Sequence, residues 1–185
     1  PHAPYSGRAE IEYLHNAILH SGRDIVLSLS PGPALIEQAW HYAQNANMWR
    51  ITDDLWDKWE DVRAMFDRCE LWQDHVAPGA FPDCDMLPLG RIGRGFGAER
   101  ATALTRDEQR TLVSLWCLFG SPLMLGAELT QLDEFTKSLL TNREVLRLLP
   151  PSFRARQLAK DEAGAVWTCT GPAGADGQPE RYLAL

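Results

Sequence analysis

The apolar positions of this chain change period several times, and each change predicts an element. Over residues 7–20, Ile11, Leu14 and Ile18 recur at helical spacing, and Gly22 supplies a stop. Ile25-Val26-Leu27-Ser28-Leu29-Ser30 is nearly continuous in apolar character, as expected of a buried parallel strand, and Pro31-Gly32-Pro33 ends it. Residues 34–44 read as a helix with Leu35, Trp40 and Ala43 as inner positions. A second strand, near 47–52, carries Met48, Trp49, Arg50 and Ile51 and breaks into Asp53-Asp54. Trp59, Val62, Phe66 and Cys69 then return to helical spacing and predict a helix across about 55–75. A third strand, 80–85, lies in a Pro/Gly-broken segment, and residues 91–103, rich in Gly and Arg, read as a mobile loop. Thr105-Arg106-Asp107-Glu108 is a capping box opening a helix with Leu112, Leu115, Trp116 and Phe119 on one face, closed by Gly120. Residues 122–126 form a fourth strand, followed by helices near 131–140 and 142–148.

A helix followed by four β-α units with short links predicts an α/β fold, a parallel sheet wrapped by helices. After Pro150-Pro151 the pattern changes. Ala165-Val166-Trp167-Thr168-Cys169 and Arg181-Tyr182-Leu183-Ala184-Leu185 are β-like and flank a Gly/Pro/Asp-rich stretch, 171–180. That predicts a hairpin opening a separate all-β domain, with the division at 1–149 and 150–185.

The candidate chemistry sits where strands hand over to helices. Asp53 has two readings, a helix N-cap or a site carboxylate. Asp54, flanked by Trp49, Trp56 and Trp59, reads as a site residue, and Arg50 can reach the same ground. Asp83 and Asp85 occupy alternate positions of the third strand, which puts both on one side. In a β/α barrel the C-terminal ends of the strands line the active site.

The net charge of −7 argues against a nucleic-acid partner. Seven tryptophans suit either carbohydrate platforms or a core, and composition does not separate the two. No apolar run is long enough to span a membrane. Pro1-His2-Ala3-Pro4-Tyr5 lacks the pattern of a leader peptide. Cys69, Cys84, Cys117 and Cys169 form no C-x-x-C pair and the histidines are scattered, so neither a metal nor another cofactor is expected. Cys117 reads as a small core residue. The spacing demands no disulfide and leaves one open.

These residues, in this order, resemble glycoside hydrolase family 27, the α-galactosidase and α-N-acetylgalactosaminidase group. The family's W-R-x-x-x-D segment matches Trp49-Arg50-Ile51-Thr52-Asp53-Asp54. Its W-x-D-x-D-M-L segment matches Phe81-Pro82-Asp83-Cys84-Asp85-Met86-Leu87, with Phe81 in place of the usual Trp. Later stretches match Asp107-Glu108-Gln109, Leu115-Trp116 and Ser121-Pro122-Leu123-Met124. The resemblance implies the second half of a (β/α)8 TIM barrel, strands 5 to 8, followed by the start of an antiparallel β-sandwich. It implies retaining hydrolysis of terminal α-galactosides, which uses two carboxylates about 5–5.5 Å apart. Asp54 then corresponds to the acid/base, a role that calls for neighbours favouring its protonated form. Arg50, Asp85 and Met86 correspond to substrate-binding residues. Ser30 falls where the family reads the substituent at sugar C2, although Pro31 follows it where the family has Trp.

The family's nucleophile, an Asp in a K-x-D segment ending strand 4, corresponds to no residue of this chain. The expectation is therefore a piece of a longer enzyme, inactive alone, that associates with the missing barrel half or as a homo-oligomer to cover its open edge strands. A carbohydrate is the expected partner, and a secreted or periplasmic setting is favoured over a cytoplasmic one. Two alternatives remain: an α-N-acetylgalactosaminidase, with small Ser30 making room for an acetamido group, and a non-catalytic sugar-binding relic.

Overall fold

The computed structural model describes residues 7–93, 97–174 and 177–185. The N-terminal stretch read for a leader, the tip of the 91–103 loop and part of the 171–180 turn lie outside the described residues.

Helix α1 (Arg8–Ser21) leads to strand β1 (Ser28–Leu29), a 3-10 turn (Ile36–Gln38) and helix α2 (Ala39–Asn45). Strand β2 (Met48–Arg50), helix α3 (Trp59–Trp72) and strand β3 (Phe81–Asp83) follow. Short strands β4 (Met86–Leu87), β5 (Arg91–Ile92) and β6 (Arg100–Ala101) precede helix α4 (Arg106–Phe119). Strand β7 (Met124–Leu125) and helices α5 (Glu134–Leu140) and α6 (Arg143–Leu146) complete the α/β part. Strands β8 (Arg154–Lys160), β9 (Ala165–Ala173) and β10 (Pro179–Ala184) close the chain.

β1, β2 and β3 pair in parallel in that order, with Leu29 opposite Trp49 and Arg50 opposite Asp83. The third expected strand is not one strand. It bends at Asp85, whose φ of 75° is left-handed, and continues as β4, which pairs in parallel with β7. Neighbouring parallel strands thus form the wall, handing over from one short sheet to the next at Asp85. The first strand is shorter than its apolar run suggests. β1 is an edge strand with β2 on one side, and Ile25 and Val26 are exposed.

Tryptophan here is mainly a core residue: Trp49, Trp72, Trp116 and Trp167 are fully buried. Tyr42 stacks on Trp49 with ring centroids 5.8 Å apart, which joins α2 to the sheet. α2 begins later than its sequence suggests and presents Ala39, His41 and Tyr42 inward, so Trp40 and Ala43 are exposed rather than inner. Trp40 instead lies under the Arg8 guanidinium. On α1, Ile11 is buried but Leu14 is half exposed. α4 starts at the capping box: Thr105 Oγ1 accepts from the Glu108 N–H, and Glu108 Oε2 accepts from the Thr105 N–H. It ends at Gly120, whose φ of 81° suits a residue without a Cβ.

The C-terminal segment is a three-stranded antiparallel sheet, ordered β10-β9-β8. The expected hairpin is β9–β10; β8 is additional. Its sequence, Arg154-Ala155-Arg156-Gln157-Leu158-Ala159-Lys160, lacks apolar alternation, and three of its residues are held by polar groups of α3 and of the two residues that follow it. Gln73 Oε1 accepts the Gln157 N–H at 3.0 Å, and Arg156 and Lys160 pair with Asp74 and Asp67. Trp167 and Cys169 of β9 complete this contact by joining the common core.

Candidate active site

α3 does not start at the two aspartates. It starts at Trp59 after Lys58, which makes no side-chain cap, so Asp53 is not the N-cap. Residues 51–58 instead form an irregular turn at the C-terminal end of β2, with Leu55 and Asp57 buried beneath it. Asp53 Oδ1 lies over the turn after β1, 3.7 Å from where a Cβ on Gly32 would stand. Asp54 is the aspartate that faces Arg50.

Arg50 is the hub. Its Nη2 donates to Asp54 Oδ1 at 2.7 Å and its Nη1 to Asp85 Oδ1 at 3.3 Å. The Arg50 and Asp85 side chains are only 16% and 13% exposed, whereas that of Asp54 is 68% exposed. The second Asp85 oxygen accepts the Leu55 N–H at 2.7 Å, so Asp85 holds both the arginine and the turn that carries Asp54. Asp85 is held in turn from two sides. Its N–H donates to Asp83 Oδ1 at 3.0 Å, and its carbonyl accepts from Trp116 Nε1 at 3.1 Å. Asp83 and Asp85 therefore converge through a side-chain-closed turn at the kink, not through strand alternation.

The expected cluster of Arg50, Asp54 and Asp85 is thus brought together at the strand ends. Ser30 lies one residue past β1, exposed, at the same end of the sheet. No side-chain hydrogen bond ties it to the cluster among the described residues. Met86, half buried on β4, has its Sδ 2.9 Å from where a Cβ on Gly126 would stand, so that glycine leaves room for it. The charge nearest Asp54 is the Arg50 guanidinium.

Residues 91–103, read as a mobile loop, contain the antiparallel pair β5–β6 among the described residues. Arg100 of β6 donates from both Nη atoms to Asp57, which the sequence reading had not singled out. Asp57 lies between two tryptophans of the 51–59 segment, and no apolar period marks it as buried. The four cysteines are free and buried, with the Sγ atoms of Cys69 and Cys84 3.6 Å apart. Among the described residues no group of three or more His, Cys, Asp or Glu side chains is arranged to hold a metal, and no helix is long and apolar enough to cross a membrane.

Burial pushes the Asp83 carboxyl up to about 6. The Asp85 N–H opposes this, the Asp85 charge adds to it, and the Arg50 charge opposes it. Between about pH 4 and pH 6 the folded chain therefore keeps a proton that the unfolded chain has released, and stability from this group falls as pH rises through that window. Asp83→Asn keeps an acceptor for the Asp85 N–H and removes the titration. In urea unfolding at pH 4 to 7, the variant should gain stability relative to the parent as pH rises from about 4 to about 6 and level off above that. A difference that stays constant with pH would show that Asp83 titrates normally.

The family model described as alpha galactosidase A matches residues 6–149. The chain belongs to this family, glycoside hydrolase family 27. Alpha-galactosidase 2 of Arabidopsis thaliana is 31% identical over 164 residues, covering 88% of this chain and 39% of that protein. Among solved family 27 structures, a β-L-arabinopyranosidase of Geobacillus stearothermophilus in complex with arabinose is 50% identical, with a TM-score of 0.83, covering 88% of this chain and 38% of that one. A putative α-N-acetylgalactosaminidase of Bacillus halodurans is 44% identical, with a TM-score of 0.70, covering 89% and 38%. The chain thus spans about two fifths of the length of these family 27 relatives.

Proposed function

We propose that this chain forms part of a retaining glycoside hydrolase acting on terminal α-galactosides, with Asp54 as acid/base. The observation that carries the reading is the Arg50–Asp54–Asp85 cluster at the strand ends of a family 27 chain. In the first step Asp54 gives a proton to the leaving oxygen; in the second it takes one from water. Arg50 and Asp85 offer a charged donor and an acceptor to sugar hydroxyls beside the reacting carbon. On this reading the attacking carboxylate comes from outside these 185 residues, and this stretch corresponds to strands 5 to 8 of the barrel with the first strands of a β-sandwich.

One observation favours a second substrate. The 50% identity to a β-L-arabinopyranosidase points to a pentose that has the galactose ring configuration without its C6 hydroxymethyl group. The two are separated by comparing kcat/KM of the full-length gene product on nitrophenyl α-D-galactopyranoside, β-L-arabinopyranoside and α-N-acetylgalactosaminide. The galactoside should be preferred. Preference for the arabinoside selects the second reading, and no turnover of any of the three overturns both.

A further inference from the structure

The carboxylate assigned to proton transfer is carried by neither a helix nor a strand. Residues 51–58 have no regular structure, yet catalytic groups must be held to a fraction of an ångström. The turn is fastened at Leu55, whose N–H goes to Asp85. A second fastening is at Asp57, only 6% exposed. Asp57 Oδ2 accepts from Arg100 Nη1 at 2.5 Å and from the Ala103 N–H at 2.6 Å, and Oδ1 accepts from Arg100 Nη2 at 2.9 Å. Both partners come from more than 40 residues away, on the β5–β6 ribbon and the strand of chain that leaves it. Within that ribbon the Thr102 N–H donates to the Gly90 carbonyl at 2.8 Å and Arg91 pairs with Glu99, and the ribbon is anchored by the Glu128 N–H, which donates to the Arg91 carbonyl at 2.8 Å.

We propose that Asp57 is a positioning residue: with Arg100 and the Ala103 N–H it clamps the turn that carries Asp54 to the β5–β6 ribbon and so sets where the acid/base carboxylate stands. This rests on the role proposed for Asp54. A bidentate guanidinium pair fixes direction as well as distance. Its hydrogen bonds hold the Asp57 carboxyl down at about 2, so the clamp is charged across the working range. The Arg100 side chain is half exposed, so its removal leaves the core intact while freeing the turn.

The test uses full-length enzyme carrying Arg100→Gln, Asp57→Asn or, as reference, Asp54→Asn. Substrates are methyl α-galactoside, whose alkoxide needs a proton to leave, and dinitrophenyl α-galactoside, whose phenolate does not. A displaced acid should lower kcat/KM for the methyl glycoside about 10–100-fold in the Arg100 and Asp57 variants, since about 1 Å of misplacement costs up to that much. The loss on the dinitrophenyl glycoside should be within about threefold, because acid assistance is worth little there. Arg100→Gln should melt below the parent, because it leaves the buried Asp57 carboxylate with the Ala103 N–H but no guanidinium, and should remain folded at the assay temperature. Equal losses on both substrates, or a lower melting temperature without selective loss, overturn the clamp while a selective Asp54→Asn leaves the Asp54 role standing. An unselective Asp54→Asn overturns the site reading and the clamp with it.

Discussion

Asp54→Asn in the full-length enzyme should lower turnover of an alkyl α-galactoside by about 10²–10⁴-fold, the usual worth of a positioned general acid or base. The amide preserves the size of the side chain and an oxygen for Arg50 Nη2, so the loss reports proton transfer rather than collapse. The side chain is 68% exposed, and folding stability should hardly move. On the proposed retaining mechanism, an activated aryl leaving group should let the first step proceed without the acid and the glycosyl-enzyme accumulate, because water then lacks its base. A small anionic nucleophile added to the assay needs no base and should restore turnover. An unchanged rate on the alkyl substrate would remove Asp54 from the mechanism.

Trp116→Ala should cost about 3–5 kcal/mol of stability, the range for deleting a buried aromatic side chain. Trp116 is fully buried on α4, and its Nε1 donates to the Asp85 carbonyl at 3.1 Å. The substitution opens a cavity and frees a carbonyl at a residue whose φ of 75° already needs external support. Non-glycine residues in that region cost about 1–3 kcal/mol and persist only when their surroundings hold them. Trp116→Phe separates the two effects: it retains most of the packing and forfeits the hydrogen bond, for which about 1–3 kcal/mol is expected. Urea unfolding measures the stability. kcat/KM measures the site, which should weaken in both variants because Asp85 holds Arg50 and the Leu55 N–H. If Trp116→Phe matches the parent in both, the indole contact does not support the site.

Much of the fold was legible because short parallel strands write themselves as apolar runs, even where, as in β1 and β7, part of the strand is exposed. The runs holding Leu29, Trp49 and Leu125 became paired strands. The capping box at Thr105 and the stop at Gly120 were readable because their chemistry is local. What failed was decided by distant partners. Trp40 fits an inner helical position by period, but a 3-10 turn precedes α2 and shifts its phase. β8 carries no alternation, and its polar side chains and backbone meet Asp67, Gln73 and Asp74 at and just beyond the end of α3. Of the two readings of Asp53, the N-cap fails because helix α3 begins six residues later, after a turn fastened by Asp85 and Arg100. Arg50, Asp54 and Asp85 stood out by their place at strand ends, and the family motif supplied the roles expected of them. Asp57 has no signal that a single sequence carries, since Arg100 lies 43 positions away.

The bend at Asp85 has a mechanical meaning. Two residues, Cys84 and Asp85, close the seam between β3 and β4, and the Asp85 carboxylate grips the guanidinium of the neighbouring strand and the turn that follows it. A small rotation of one sheet against the other cannot be absorbed silently at that seam. It is geared directly onto the two charged groups, so the tolerance of the wall to distortion and the tolerance of the chemistry to distortion are a single quantity.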